Sequence, residues 1–231
     1  MSLFITSDFH FGHKKILETE RFARFKTIED HNEFIVKFFE DICRKMKQED
    51  TFWFLGDFGR PSEEHIKRMK IAAFETYGKC LAILGNHDKE EEQELMDQIF
   101  DHVYDVPQFI NRRLVLSHEP FPQMAPVLNV SGHLHGSTLD LTNYLCASIH
   151  VANYQPITSQ RIQSQLGKMD KWNMKFLYEP WADKYKFTQK KPEVIMDANK
   201  RIDLAASRVL QRLKQQEEQG KIAESTKQNF E

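Results

Sequence analysis

The sequence predicts an α/β chain whose first half builds a sheet of buried parallel strands and whose second half builds a second sheet entered through a hairpin. Three observations carry this expectation. Short apolar runs recur along the chain, and each ends in polar residues able to bind a metal. Helical stripes separate the early runs. From Tyr104 to Leu116 two apolar segments flank Asn111-Arg112-Arg113, which reads as a hairpin turn.

The runs come in order. Leu3-Phe4-Ile5 leads to Asp8 and His10, and Phe52-Trp53-Phe54-Leu55 leads to Gly56-Asp57. Leu81-Ala82-Ile83-Leu84 leads to Gly85-Asn86-His87-Asp88. Leu114-Val115-Leu116 leads to His118, and Leu128 with Val130 leads to Gly132-His133-Leu134-His135. Runs this short, bounded by glycine, suit buried strands. In α/β sheets ligands bind beyond the carboxyl ends of the strands, which is where these polar residues would lie.

Between the runs, Thr27 with Asp30 forms a cap signature ahead of the stripe Phe34, Ile35, Phe38, Phe39 and Ile42. Ser62 would cap a helix carrying Ile66, Met69, Ala73, Phe74 and Tyr77, with Gly78 as its stop. Leu95, Met96, Ile99 and Phe100 mark a third helix. Aromatic residues at this spacing are read as core. Strands near Ile149–Val151 and Ile157 are expected to continue the second sheet, and Thr158 to cap a short helix ending at Gly167. That glycine is the expected boundary between a domain of residues 1–166 and an aromatic-rich, helical extension of residues 167–231. The extension's stripe Ile202, Ala205, Ala206, Val209, Leu210 and Leu213 would dock on its own chain or form a homodimer interface.

Composition narrows the classes. The chain has 231 residues, 40% of them hydrophobic, enough to bury a core. A net charge of -2 gives no overall field for nucleic acid or an anionic membrane. No run reaches membrane-span length, and the N-terminus lacks the basic region of a signal peptide. The three cysteines are odd in number and widely spaced, which suits a reducing, cytoplasmic setting better than a disulfide scaffold.

Asp8, His10, Asp57, Asn86, His118, His133 and His135 are carboxylate, amide and imidazole donors with no thiolate among them. Such a set suits manganese, iron or zinc, with manganese favoured. It is too large for one tetrahedral ion and about right for two ions sharing a carboxylate. His31, His65 and His102 are read as surface or core residues. Each motif alone is weak, since G-D is usually a turn and an asparagine after glycine often bonds its own backbone. The specificity lies in the ordered set.

That set resembles the calcineurin-like metallophosphoesterases, on "SDFHFGH" (Ser7 to His13), "LGDFG" (Leu55 to Gly59), "LGNHD" (Leu84 to Asp88), "LSHEP" (Leu116 to Pro120) and "SGHLHG" (Ser131 to Gly136). The opening motif and "NYQPI" (Asn153 to Ile157) look like a compact bacterial and phage branch. The resemblance implies a four-layer α-β-β-α sandwich of two mixed sheets flanked by helices. It implies that Asp8, His10 and His135 hold one divalent ion, that Asn86, His118 and His133 hold a second, and that Asp57 bridges them. A hydroxide shared by the ions would attack a phosphoester, with His87 as general acid and Asp88 orienting it. His13 and Arg60 are candidate substrate contacts, although a helix cap and a solvated loop arginine explain them equally. His150 has no chemical role on this reading.

The implied substrate is a phosphodiester or small phosphomonoester, a nucleotide among the candidates. "GDFGRPS" and "GNHD" depart from the "GDxxDRG" and "GNHE" of the protein phosphatases and dinucleoside tetraphosphatases. No basic run supports tight duplex binding. The alternative is a non-catalytic scaffold on the same fold that binds a partner protein, which is disfavoured because His87 and all seven candidate ligands are present.

Overall fold

The computed structural model describes residues 2–18, 25–120, 127–135 and 142–178. The aromatic segment beyond Tyr178 and the Ile202–Leu213 stripe lie outside the described residues, as does Gly136.

The first sheet has strand order β4-β3-β2-β1-β9. Strands β1 (Leu3–Thr6), β2 (Thr51–Phe54), β3 (Lys79–Ile83) and β4 (His102–Tyr104) run parallel, joined in turn by helices α1 (Ile28–Lys45), α2 (Glu63–Glu75) and α3 (Glu90–Met96). Strand β2 shows why these runs lack polar alternation. Phe52 and Phe54 face the core beneath the helices, while Trp53 and the adjoining Leu55 face the core between the sheets. Both sides are covered, so Phe52 to Leu55 are all apolar.

The helices begin where the sequence places them. The Thr27 hydroxyl accepts from the Asp30 amide at 3.1 Å, and the Asp30 carboxylate accepts from the Thr27 amide at 3.2 Å. Ser62 accepts from the His65 amide at 3.2 Å at the head of α2. The far end of α2 differs from expectation. The helix stops at Glu75, before Gly78, and Phe74 and Tyr77 are 90% and 80% exposed. At about 100° per residue, Phe74 lies about 140° round the helix from the buried Met69. The core stripe therefore consists of Ile66 and Met69, with Ala73 partly buried.

The second sheet, order β5-β6-β7-β8, contains β5 (Gln108–Asn111), β6 (Leu114–Ser117), β7 (Leu128–Ser131) and β8 (Tyr144–Cys146). The expected hairpin joins β5 to β6 in antiparallel register, but β6, β7 and β8 are parallel. Two expectations about its extent fail. Residues 149–151 form a turn, and β9 (Ile157–Thr158) pairs antiparallel with β1 in the first sheet. A two-residue apolar run carries no record of which edge it joins, and Ile157 reaches the inter-sheet core from either. Helix α4 (Ser159–Tyr178) follows directly, and it runs through Gly167 instead of ending there. Its Ile162 and Met169 pack into the inter-sheet core.

The two sheets are thus both mixed, and they pack face to face. Leu3, Ile5, Leu55 and Ile83 of the first meet Leu114, Leu116, Leu128 and Val130 of the second. Cys43 and Cys80 are free thiols buried beneath α1, their sulfurs 3.9 Å apart. Among the described residues no helix is long and apolar enough to cross a membrane.

Candidate metal centre

The carboxyl ends of β1, β2, β3, β6 and β7 converge. Just beyond them lie Asp8 and His10, Asp57, Asn86, His118, and His133 with His135. Four of these residues adopt left-handed backbone, with φ of 61° at Asp8, 46° at His10, 61° at Asp57 and 64° at His133. Non-glycine residues rarely occupy this region, and such strain persists only where the surroundings fix it. Here it occurs after β1, β2 and β7, three of the five strand ends that meet at the site. Two glycines make room for the approach. A Cβ on Gly132 would strike the Asp8 carboxylate and the Ser7 hydroxyl, and one on Gly85 would strike Asp57.

The side chains fall into two groups that share Asp57. In the first, Asp8, His10, Asp57 and His135 each place one donor atom within 4.8 Å of the others. His10 Nε2 lies 3.0 Å from His135 Nε2 and 3.6 Å from Asp57 Oδ2. His135 Nε2 lies 3.4 Å from Asp8 Oδ1. In the second, Asn86 Oδ1 is 2.8 Å from His118 Nε2 and 3.0 Å from His133 Nδ1. His118 Nε2 is 3.4 Å from Asp57 Oδ1. The two oxygens of Asp57 therefore face different groups.

Two features fit cations at these positions. Asp57 Oδ2 is buried with no hydrogen-bond donor, an arrangement that is costly for a carboxylate unless a positive charge is supplied. His118 shows the same thing through its tautomer. Its Nδ1 lies 2.7 Å from the Leu55 carbonyl, which can only accept, so Nδ1 carries the hydrogen. In the neutral ring Nε2 is then a bare lone pair, yet it points at the amide oxygen of Asn86. Two acceptors at that distance fit a shared cation.

The shifts at His10, His133 and Asp8 run towards lone-pair donors. Burial, reinforced by the neighbouring His135, His13 and His87, lowers the His10 pKa to about 3 against the opposing pull of Asp8. Burial and His118 likewise lower that of His133. Burial pushes the Asp8 carboxyl up, but His118, His135 and the Ser148 and Ser7 hydroxyls outweigh it and leave it below the usual range. Neutral imidazoles and ionised carboxylates are the forms that ligate metals.

The remaining candidates are placed differently. His87 is exposed at the rim, its ring centroid 6.1 Å from that of His10, while its main-chain amide donates to Asp57 Oδ1 at 3.1 Å. Asp88, expected to orient His87, instead accepts from three main-chain amides, those of Asp57, Phe58 and Gly85, each at 2.8 Å. Its carboxylate ties the turn after β3 to the turn after β2. Burial raises its pKa above the usual carboxylate value. His13 is exposed with its ring 5.6 Å from that of His10. Arg60 is engaged by Glu92 and Glu91, each at 2.6 Å, so any substrate contact would compete with two carboxylates. Glu92 is buried by that pairing and by accepting from the Lys89 amide.

Sequence reading missed Ser7, Ser148 and His150 as neighbours of the donors. Ser7 and Ser148 both donate to Asp8 Oδ2, and His150 bonds the main chain at His135. Ser7 opens the first motif, but nothing local in the sequence marks the other two.

Comparison with known proteins bears on the family and the fold. The sequence model of the calcineurin-like phosphoesterases matches residues 1–209. The Gene 66 protein of Mycobacterium phage L5 is 32% identical over 83 residues, a stretch that spans 36% of this chain and 38% of the phage protein. Among solved structures, a protein of unknown function from Aquifex aeolicus shares the fold with a TM-score of 0.53 at 24% identity, over 71% of this chain and 98% of that one.

Proposed function

The chain belongs to the calcineurin-like phosphoesterase family, and from that premise we propose that it hydrolyses phosphoesters at a dinuclear metal centre. The observation that carries the reading is Asp57, whose two oxygens face two donor groups and whose buried Oδ2 has no hydrogen-bond donor. Asp8, His10 and His135 would hold one ion, Asn86, His118 and His133 the other, and Asp57 both. The oxygen and nitrogen donors favour manganese, with iron or zinc as alternatives. Bound there, two divalent ions would activate water and neutralise charge on the phosphoryl oxygens.

The chain's own groups divide the rest of the work. Leu55 fixes the tautomer of His118 and keeps its Nε2 directed inward. Asp88 fixes the turn that carries Asp57. His87 lies at the rim with its imidazole outside the two donor groups, and we assign it to give a ring N–H proton to the leaving oxygen. His13, beside His10, would contact the phosphate. The substrate class on this reading is a phosphodiester or small phosphomonoester, with nucleotides among the candidates. A domain that runs beyond residues 1–166 to include α4 would carry the activity, in a cytoplasmic protein.

The test is hydrolysis of mono- and bis-nitrophenyl phosphate with added Mn²⁺, comparing wild type with His87→Ala and measuring bound metal in both. The variant is expected to lose on the order of 10²–10⁴ in turnover while keeping both ions. Loss of metal from it would make His87 a ligand. Two bound ions with no hydrolysis of any phosphoester tested would favour a partner-binding scaffold.

A further inference from the structure

We propose that the turn after β8, residues 147–154, braces two of the candidate ligands at once, with Ser148 and His150 as positioning residues for the Asp8–His10–His135 position. The inference rests on the dinuclear reading above and concerns residues that reading leaves without a task.

Ser148 is fully buried, and its hydroxyl donates to Asp8 Oδ2. The Ser7 hydroxyl donates to the same oxygen. With Oδ2 held from two sides, Oδ1 is the oxygen turned towards His135 and His10, at 3.4 and 3.9 Å from their Nε2 atoms. Two residues further on, His150 acts on the other ligand in two ways. Its Nε2 lies 2.8 Å from the His135 carbonyl, which can only accept, so this nitrogen donates. Its ring stacks on the His135 ring at a centroid distance of 5.1 Å and an interplanar angle of 4°. His150 is 8% exposed, whereas the His135 side chain is 38% exposed. A ligand so open to solvent has rotameric freedom to lose on binding a cation, and a buried ring against its face removes that freedom in advance.

The brace is itself anchored. Ser7 donates its amide to Ala147 and accepts from the Ile149 amide, at 3.0 and 3.1 Å, so the turn is tied to the end of β1 beside Asp8. Asn153 and Tyr154 reverse the chain in left-handed conformations, with φ of 52° and 56°. The buried Tyr154 ring then packs against Phe34 of α1 at 5.3 Å. A strained turn fastened at both ends is a rigid base for the ligands above it.

The experiment is a calorimetric Mn²⁺ titration of the metal-free full chain, with folding checked by circular dichroism and thermal melting. Wild type is expected to take two ions. His150→Ala is expected to weaken one of them by about 10–100-fold and leave the other unchanged. His150→Phe, which keeps the ring and removes the donor, should fall between. In a His133→Ala background, which cripples the second position, the same fold-change should persist. Ser148→Ala should weaken the same ion and serves if the His150 variants fail to fold. Wild-type affinity for both ions in His150→Ala and Ser148→Ala would overturn the inference, as would equal weakening of both. If wild type itself takes fewer than two ions, it is the dinuclear reading that fails.

Discussion

The same strands serve two environments that differ in almost every respect. Beneath α1 to α3 the first sheet buries rings against rings. Phe54 lies 4.5 Å from Phe9 and 5.8 Å from Phe100, all three nearly or fully inaccessible, on unstrained backbone. At the carboxyl ends of those strands the chain buries Asp8, Asp57, His10 and His118 on left-handed or tightly approached backbone. The first environment stabilises the fold. The second destabilises it in return for a set of preorganised donors. A substitution should therefore register as stability on one side and as metal binding or turnover on the other.

The largest expected effect tests the strand ends. Asp57→Asn removes the carboxylate shared by both groups, and turnover should fall on the order of 10³-fold, the equivalent of several kcal/mol of lost charge stabilisation. In chelator the same variant should melt higher than wild type, by about 1–2 kcal/mol, because a buried carboxylate oxygen without a donor is gone. A lower metal-free melting point would break the contrast, since it would make Asp57 a stabilising residue. On the ring side, Phe54→Ala should cost about 3–5 kcal/mol in urea unfolding, with the folded fraction still binding metal. A cost below about 1 kcal/mol would mean that the ring cluster is not what holds the sheet.

The effect that develops most gradually is the pH response of His31, which lies on the ring side in α1, edge-on to Phe25 at 5.2 Å. Burial lowers its pKa to about 4, below the value of about 6.5 for an unfolded histidine. The unfolded chain therefore takes up this proton first as pH drops. The contribution of neutral His31 is complete above about pH 6.5, is lost between there and about pH 4, and is level below, with a total of up to about 3 kcal/mol. Subtracting the stability profile of His31→Gln from that of wild type should isolate this slope. A difference that is flat over that interval would place His31 in a wetter setting than the rings beside it imply.

Much of this was legible in the chain itself, and particular residues show where legibility stopped. The apolar runs at β1, β2, β3, β6 and β7 announced strands, and the polar residues after them announced a shared end, because period and position are local properties. Thr27 and Ser62 announced helix starts for the same reason. Phe74 misled because its contribution depends on which way α2 rolls and where it stops. Ile157 misled because pairing is a property of the neighbouring strand. Asp88 and Arg60 are chemically suited to the roles first given them. Their actual partners are the amides of residues 57, 58 and 85, and Glu91 with Glu92. His150 is the sharpest case, since its link to His135 crosses 15 residues and involves a main-chain oxygen that no side-chain pattern records.

The sequence by itself determined the α/β class, the positions of the buried strands along the chain and the supply of carboxylate, amide and imidazole groups after them, because hydrophobic period and side-chain chemistry are local properties. Only the tertiary structure decided that Asp57 faces two donor groups, that β9 closes the first sheet, and that Asp88, Ser148 and His150 support the site. Those are relations between segments far apart in the chain. Their geometry is fixed only when the sheets pack and most buried polar groups find partners within hydrogen-bonding distance.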